Sequence, residues 1–266
     1  MDKRGKHMNQ NERRIYLIQE LIKEDERYQG MEIPDSVEDQ KDLLRALMNV
    51  RLPNPISDSF LKVQDAYLKE ELKSETLTDI NDIKSTSKNP RIAIWKGDMT
   101  TLKADCIVNP ANQELLGCFQ PLHNCLDNLI HTKSGIQLRL YCNQLMEKQG
   151  HEEPVGKAKI TPGFNLPCKY VIHTVGPTAY GRLQKEDEEE LTSCYNSCLS
   201  LADSYHLTNI AFCCISTGVF CFPNQRAAEI AVSTVERFLK ENNRIKKVIF
   251  NVYKDVDEQI YSSLLG

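Results

Sequence analysis

Cys118, His123 and Cys125 fall within eight residues and offer two thiolates and one imidazole, donor types suited to Zn²⁺. Pro121 separates the first pair, and His123 and Cys125, two apart, would point in different directions on a helix, so convergence on one ion demands an irregular loop. No fourth ligand stands nearby. Three protein ligands with a vacant position is the pattern of a catalytic rather than a structural zinc. Two thiolates would balance the charge of the ion and leave a neutral centre able to accept a substrate hydroxyl or water. The competing reading is two buried cysteines and an ordinary histidine.

Two further segments carry chemistry of a different kind. In Gly97-Asp98-Met99-Thr100, a short acidic residue beside a glycine at a strand end can accept a hydrogen bond from an amino group such as the exocyclic amine of adenine; the same pair also makes an ordinary turn. In ISTGVFCFP, 215 to 223, Ser216, Thr217 and Gly218 offer backbone N–H groups and hydroxyls at the start of a helix, an arrangement that suits a diphosphate. A purely structural turn accounts for that glycine as well.

These segments need elements to hold them. Short apolar, β-branched runs at 92–95 (IAIW), 106–109 (CIVN), 170–175 (YVIHTV), 209–215 (NIAFCCI) and 247–253 (KVIFNVY) alternate with helical patterns at 123–149, 187–205, 224–241 and 255–265. That alternation predicts an α/β layer fold with helices on both faces of the sheet, and ligands in such folds gather where strands lead into helices. The acidic run Glu186 to Glu190 fits a solvated first helical turn.

Ahead of the α/β part, residues 10 to 80 show helical periodicity: Ile15, Leu17, Ile18, Leu21 and Ile22, then Leu43, Leu44, Leu47 and Met48 behind a Ser36/Asp39 capping box. LPNP at 52–55 breaks the chain, and Ser57 or Asp58 can cap a third helix. The expected organisation is a helical extension over 1–83, a linker over 84–90 and an α/β domain over 91–266. The extension carries no visible chemistry; its helices are expected to bury their apolar stripes against the α/β domain, shaping one side of a cleft, or else to dock a protein.

Composition narrows the classes. Of 266 residues, 41% are hydrophobic and 26% charged, the balance of a soluble globular protein. No run approaches the roughly 20 apolar residues of a spanning helix, and the first 30 residues are too polar for a signal-peptide core, so no membrane role and a cytoplasmic setting are expected. A net charge of −4 argues against nucleic acid as a partner. Ten cysteines should then be mostly reduced: Cys194 and Cys198 on one helix face and Cys213 and Cys214 within a core strand read as packing, and His173 as a satisfied strand residue. The chain has no GxGxxG, Walker A, GxSxG or HExxH, which removes support for hydride transfer on a dinucleotide, P-loop hydrolysis, serine hydrolysis and zincin proteolysis.

Through KGDMTTLKADCIVNPAN (96–112), LDNLIHTKSG (126–135), GKAKITPGFNLPCKYVIHTVGP (156–177) and ISTGVFCFPNQRAAEIAVSTV (215–235), the sequence resembles the macrodomain family of ADP-ribose-binding proteins over 91–266, and within it the MacroD-type branch. The resemblance implies a three-layer α/β/α fold with a mixed central sheet after the helical extension, and hydrolysis of mono-ADP-ribose from acidic side chains of a modified protein. It implies that Asp98, with Met99 beside it, holds the adenine amine. It places Asn112 at the distal ribose, Val155 and Gly156 near the ligand, and Ser216, Thr217, Gly218, Val219, Phe220 and Phe222 around the diphosphate and ribose. Tyr253 or Asn251 would flank the adenine.

MacroD-type enzymes carry a glycine run followed by valine, aspartate and glycine, where this chain has CFQPLHNC and then LDN, with Asp127 at the aspartate position. That departure resembles the zinc-containing microbial subgroup linked to a sirtuin-type ADP-ribosyltransferase and a lipoyl-carrier protein. It implies one Zn²⁺ on Cys118, His123 and Cys125 with an open fourth position, and Asp127 and Asn112 as catalytic residues. The alternatives are an ADP-ribose-binding module that hydrolyses nothing, or an O-acetyl-ADP-ribose deacetylase.

Overall fold

The computed structural model describes residues 8–266; the polar start of the expected extension, residues 1–7, lies outside the described residues. The chain forms two compact units. One gathers the described residues up to Thr76 with Leu116–Leu145 and Phe164–Leu166; the other comprises Leu77–Leu115, Met146–Gly163 and Pro167–Gly266.

The first unit is helical. Helices α1 (Gln10–Lys23), α2 (Val37–Val50) and α3 (Asp58–Lys73) start at side-chain caps: Asn9 in a reciprocal capping box with Glu12, Ser36 accepting from the Asp39 N–H, and Ser57 accepting from the Phe60 N–H. Their apolar faces meet in one cluster built on Leu17, Ile18, Leu44, Leu47, Phe60 and Val63. Ile136, from the chain segment that follows the cysteine-histidine loop, joins that cluster.

The second unit holds a six-stranded sheet in the order β2 (Ile92–Lys96), β8 (Lys247–Val252), β7 (Asn209–Phe212), β4 (Cys106–Ala111), β6 (Tyr170–Val175) and β5 (Ala158–Pro162). Every pairing is parallel except β5 with β6, giving the mixed sheet and α/β class that the sequence predicts. A small parallel pair, β1 (Thr78–Asp79) with β3 (Leu102–Lys103), stands beside it in sequence. The central strands are buried along nearly their whole length, which explains their near-continuous apolar runs. Helix α6 (Lys185–Ser204) packs on β5 and β6, α8 (Asp255–Leu265) on β2 and β8, and α7 (Asn224–Glu241) bridges α6 and α8. Tyr195, Phe212, Phe250 and Tyr261 form a chain of ring contacts, with centroids 4.9, 6.5 and 4.8 Å apart, between these helices and the sheet.

Three local expectations need correction. The single helix expected over 123–149 is two, α4 (Leu126–Ser134) and α5 (Ile136–Gln149), because Gly135 adopts φ 96° and caps α4 with its N–H on the His131 carbonyl. His123 and Cys125 precede α4 rather than lie in it. The strand expected over 209–215 stops at Phe212, so Cys213 and Cys214 follow it. Strand β5 escaped the pattern because it is half-buried and ends in Pro162. Within 84–90, the Thr86 N–H bonds the Ile92 carbonyl and the Lys88 N–H the Leu265 carbonyl, so this stretch is fastened to its own unit.

Candidate functional site

The 112–125 loop is irregular, as convergence of its donors requires: Leu115, Gly117 and Leu122 all take positive φ, at 58°, 81° and 56°. Cys118 Sγ lies 3.6 Å from His123 Nδ1, and the donor atoms of Cys118, His123 and Cys125 all lie within 4.8 Å of one another. A tetrahedral zinc with bonds of about 2.3 Å to sulfur and about 2.0 Å to nitrogen spaces its donors roughly 3.5–3.8 Å apart. The three side chains therefore fit such an ion with little movement, and their soft thiolate and imidazole set matches it chemically.

Burial pushes the Cys125 thiol up to about 12, with the nearby Asp127 charge adding to the effect. Such a thiol is inert as a nucleophile at neutral pH, whereas coordination to a cation deprotonates it. Cys125 also caps α4, its Sγ accepting from the Asn128 N–H at 3.4 Å. Asp127, in the first turn of α4, is buried and stands 3.6 Å from His131 Nε2.

Several residues that the sequence did not single out hold this loop. The Asn128 amide donates to the carbonyls of Cys118 and Gln120. Arg139, buried in α5, donates to the carbonyls of Leu116, Met48 and Arg51 and stacks 4.3 Å over the Phe119 ring. Its burial lowers the guanidinium to about 10. An arginine within the apolar LRLYC run is the one sequence signal that pointed to it.

In the second unit, Asp98 is exposed at the end of β2 and caps a short 3₁₀ turn over Met99–Thr101. Its Oδ1 accepts from the Thr100 N–H and hydroxyl at 2.8 and 2.6 Å, and Met99 is buried beneath it. Asn251 spends its amide on the carbonyls of Trp95 and Gly97, so it braces the Asp98 turn, while Tyr253 is exposed. Asn112 follows β4 directly and is half-buried; its carbonyl accepts from Leu115 N–H. Gly156, at φ 81°, donates to the Val175 carbonyl and accepts from Ser193 and Ser197. A Cβ there would meet Ser193 at 2.9 Å, so this glycine seats the loop on α6; Val155 beside it is half-buried.

The 215–222 segment folds into a closed loop, the Phe222 N–H bonding the Ser216 carbonyl and Cys221 N–H the Gly218 carbonyl. Ser216 and Cys221 sit at positive φ, 64° and 57°. Thr217 turns its hydroxyl back to the Cys214 carbonyl, Phe220 accepts from Ala179 N–H, and Phe222 is buried while Gly218 and Val219 are exposed. The loop runs straight into the N-terminus of the 18-residue α7, where backbone N–H groups and the helix dipole favour an anion. His173, by contrast, is a core residue as expected: Asn109 Nδ2 lies 3.1 Å from its Nδ1 and Thr161 Oγ1 3.0 Å from its Nε2.

The Macro domain family matches residues 108–231. A protein of Treponema medium named protein-ADP-ribose hydrolase is 52% identical over 261 residues, 97% of this chain and 100% of that one. Among solved structures, the Oceanobacillus iheyensis macrodomain with ADP is 36% identical, with a TM-score of 0.61 over 68% of this chain and 92% of that one. The Trypanosoma brucei macrodomain in complex with ADP-ribose is 27% identical, with a TM-score of 0.66 over 84% of this chain and 95% of that one. With its mixed sheet, its loops at the strand ends and a relative matched from end to end, the chain belongs to the macrodomain family.

Proposed function

We propose that this protein is a hydrolase that removes single ADP-ribose groups from modified proteins, with Zn²⁺ on Cys118, His123 and Cys125 and an acidic side chain as the modified residue. The observation that carries the reading is the convergence of those three donors within 4.8 Å in a chain half-identical to a named protein-ADP-ribose hydrolase. In it, the exposed Asp98 carboxylate accepts from the adenine amine, the 216–222 loop and α7 N-terminus take the diphosphate, and Asn112 orients the distal ribose. A cation held by the three donors supplies polarisation of a sugar hydroxyl or acidification of water. Asp127 acts as general base, taking the proton of water at a carboxylate oxygen, while water breaks the ester and releases ADP-ribose and the protein carboxylate.

The same reading places the protein in the cytoplasm, where its ten cysteines stay reduced, and takes as substrate a lipoyl-carrier protein modified by a sirtuin-type transferase. Among the described residues no helix is long and apolar enough to cross a membrane. Incubation with carriers ADP-ribosylated on glutamate or on arginine, and separately with O-acetyl-ADP-ribose, tests the assignment. Release of free ADP-ribose fastest from the glutamate carrier is expected. Binding of ADP-ribose without release from any of them would reduce the protein to a binding module, and release from the acetyl ester alone would make it a deacetylase.

A further inference from the structure

The three donors are carried by a strained piece of backbone, and two side chains of the helical extension hold it. Gln120, Pro121, Leu122 and His123 form a tight turn closed by the His123 N–H on the Gln120 carbonyl. Its third residue, Leu122, sits at φ 56°, a left-handed conformation that costs a branched side chain about 1–2 kcal/mol. Asn49, 1% exposed in α2, accepts the Leu122 N–H on its Oδ1 at 3.1 Å and donates from Nδ2 to the Thr132 hydroxyl at 2.9 Å. One turn earlier, a single nitrogen of Arg45 donates to the His123 carbonyl at 2.8 Å and to Asn128 Oδ1 at 3.0 Å.

Asn128 in turn holds the Cys118 carbonyl through its amide and meets Cys125 Sγ through its own N–H. Every donor-bearing residue is thus reached from α2 in one or two hydrogen bonds. All of these groups lie in the helical unit. We infer that Arg45 and Asn49 are positioning residues of the thiolate–imidazole centre, through which the N-terminal extension sets its affinity for metal. The inference rests on the metal reading of that centre. Outer partners that orient first ligands typically change metal affinity 10–100-fold when removed.

The test is zinc affinity of the full chain, by competition with a chromophoric chelator, and the thiolate-to-metal absorption of the Co²⁺ form. Arg45→Ala and Asn49→Ala should each weaken zinc 10-fold or more and alter the Co²⁺ band, while ADP-ribose affinity stays as in the wild type. Asn49→Asp, which keeps the acceptor for the Leu122 N–H, should recover most of the loss, and Asp42→Ala on the same helix should change nothing. Wild-type zinc affinity in folded Arg45→Ala and Asn49→Ala would overturn the inference and leave the metal reading standing. Wild-type protein that takes up neither Zn²⁺ nor Co²⁺ would instead overturn the metal reading. If an alanine variant fails to fold, Arg45→Lys carries the same comparison, a wild-type Co²⁺ band and affinity in it counting against the role of the shared His123 and Asn128 contacts.

Discussion

Gly117 lies against the ring of His131 so closely that a Cβ added to it would stand 2.7 Å from the imidazole. It also takes φ 81°, so two independent constraints penalise any other residue one position before Cys118. The buried His131 in turn faces Asp127 at 3.6 Å. The approach of glycine to histidine therefore ties the path of the cysteine-bearing loop to the orientation of the acid that follows it.

Gly117→Ala should consequently lower stability by about 2–5 kcal/mol, the sum of a left-handed alanine and a forced shift of a packed ring. Urea denaturation checks this. It should also weaken zinc binding, because the Cys118 backbone must move; an alanine variant with an unchanged urea midpoint would show that the ring yields freely.

Asp98→Asn is expected to keep the turn over Met99–Thr101, since an amide oxygen can replace Oδ1 as acceptor from Thr100. It removes the charged acceptor that the proposed function assigns to the adenine amine. A charge-assisted hydrogen bond contributes about 1.5–3 kcal/mol, so ADP-ribose affinity measured by calorimetry should drop at least 10-fold with zinc content unaltered. Undiminished affinity would remove Asp98 from the adenine site.

His173 makes a pH-dependent contribution to stability. Burial lowers its pKa from 6.5 to about 3, so between those values the unfolded state binds the extra proton and the native state does not. Stability is then fully present above pH 6.5 and falls as pH is lowered, by about 1.4 kcal/mol per unit. Comparison of urea midpoints at pH 7 and pH 5 should show about 2 kcal/mol less pH dependence in His173→Gln than in the wild type, although that variant is less stable at pH 7. Equal pH slopes in the two proteins would contradict a neutral buried ring.

Much of this was legible from the chain because local pattern and burial agree. YVIHTV became β6 with the predicted bounds, and Ser36, Ser57 and the acidic start of α6 behave as helix ends should. The three donors could be named because their residue types are rare at such spacing. Their supports could not. Arg45 and Asn49 bond backbone groups 78 and 73 residues away, a carbonyl and an N–H, and backbone groups leave no side-chain signature to match. The break at Gly135 was hidden by apolar periodicity that continues through it, and what fixes it is a left-handed φ together with Gln64, whose Nε2 a Cβ would meet at 2.6 Å.

The most direct measurement is release of ADP-ribose from a glutamate-modified carrier by protein of known metal content, before chelation, after it and after zinc is restored. The account predicts one zinc per chain, activity that disappears with the metal and returns with it, and Cys125→Ala protein that holds no zinc and has lost most turnover. Full release of ADP-ribose by metal-free protein, or by Cys125→Ala, would contradict it.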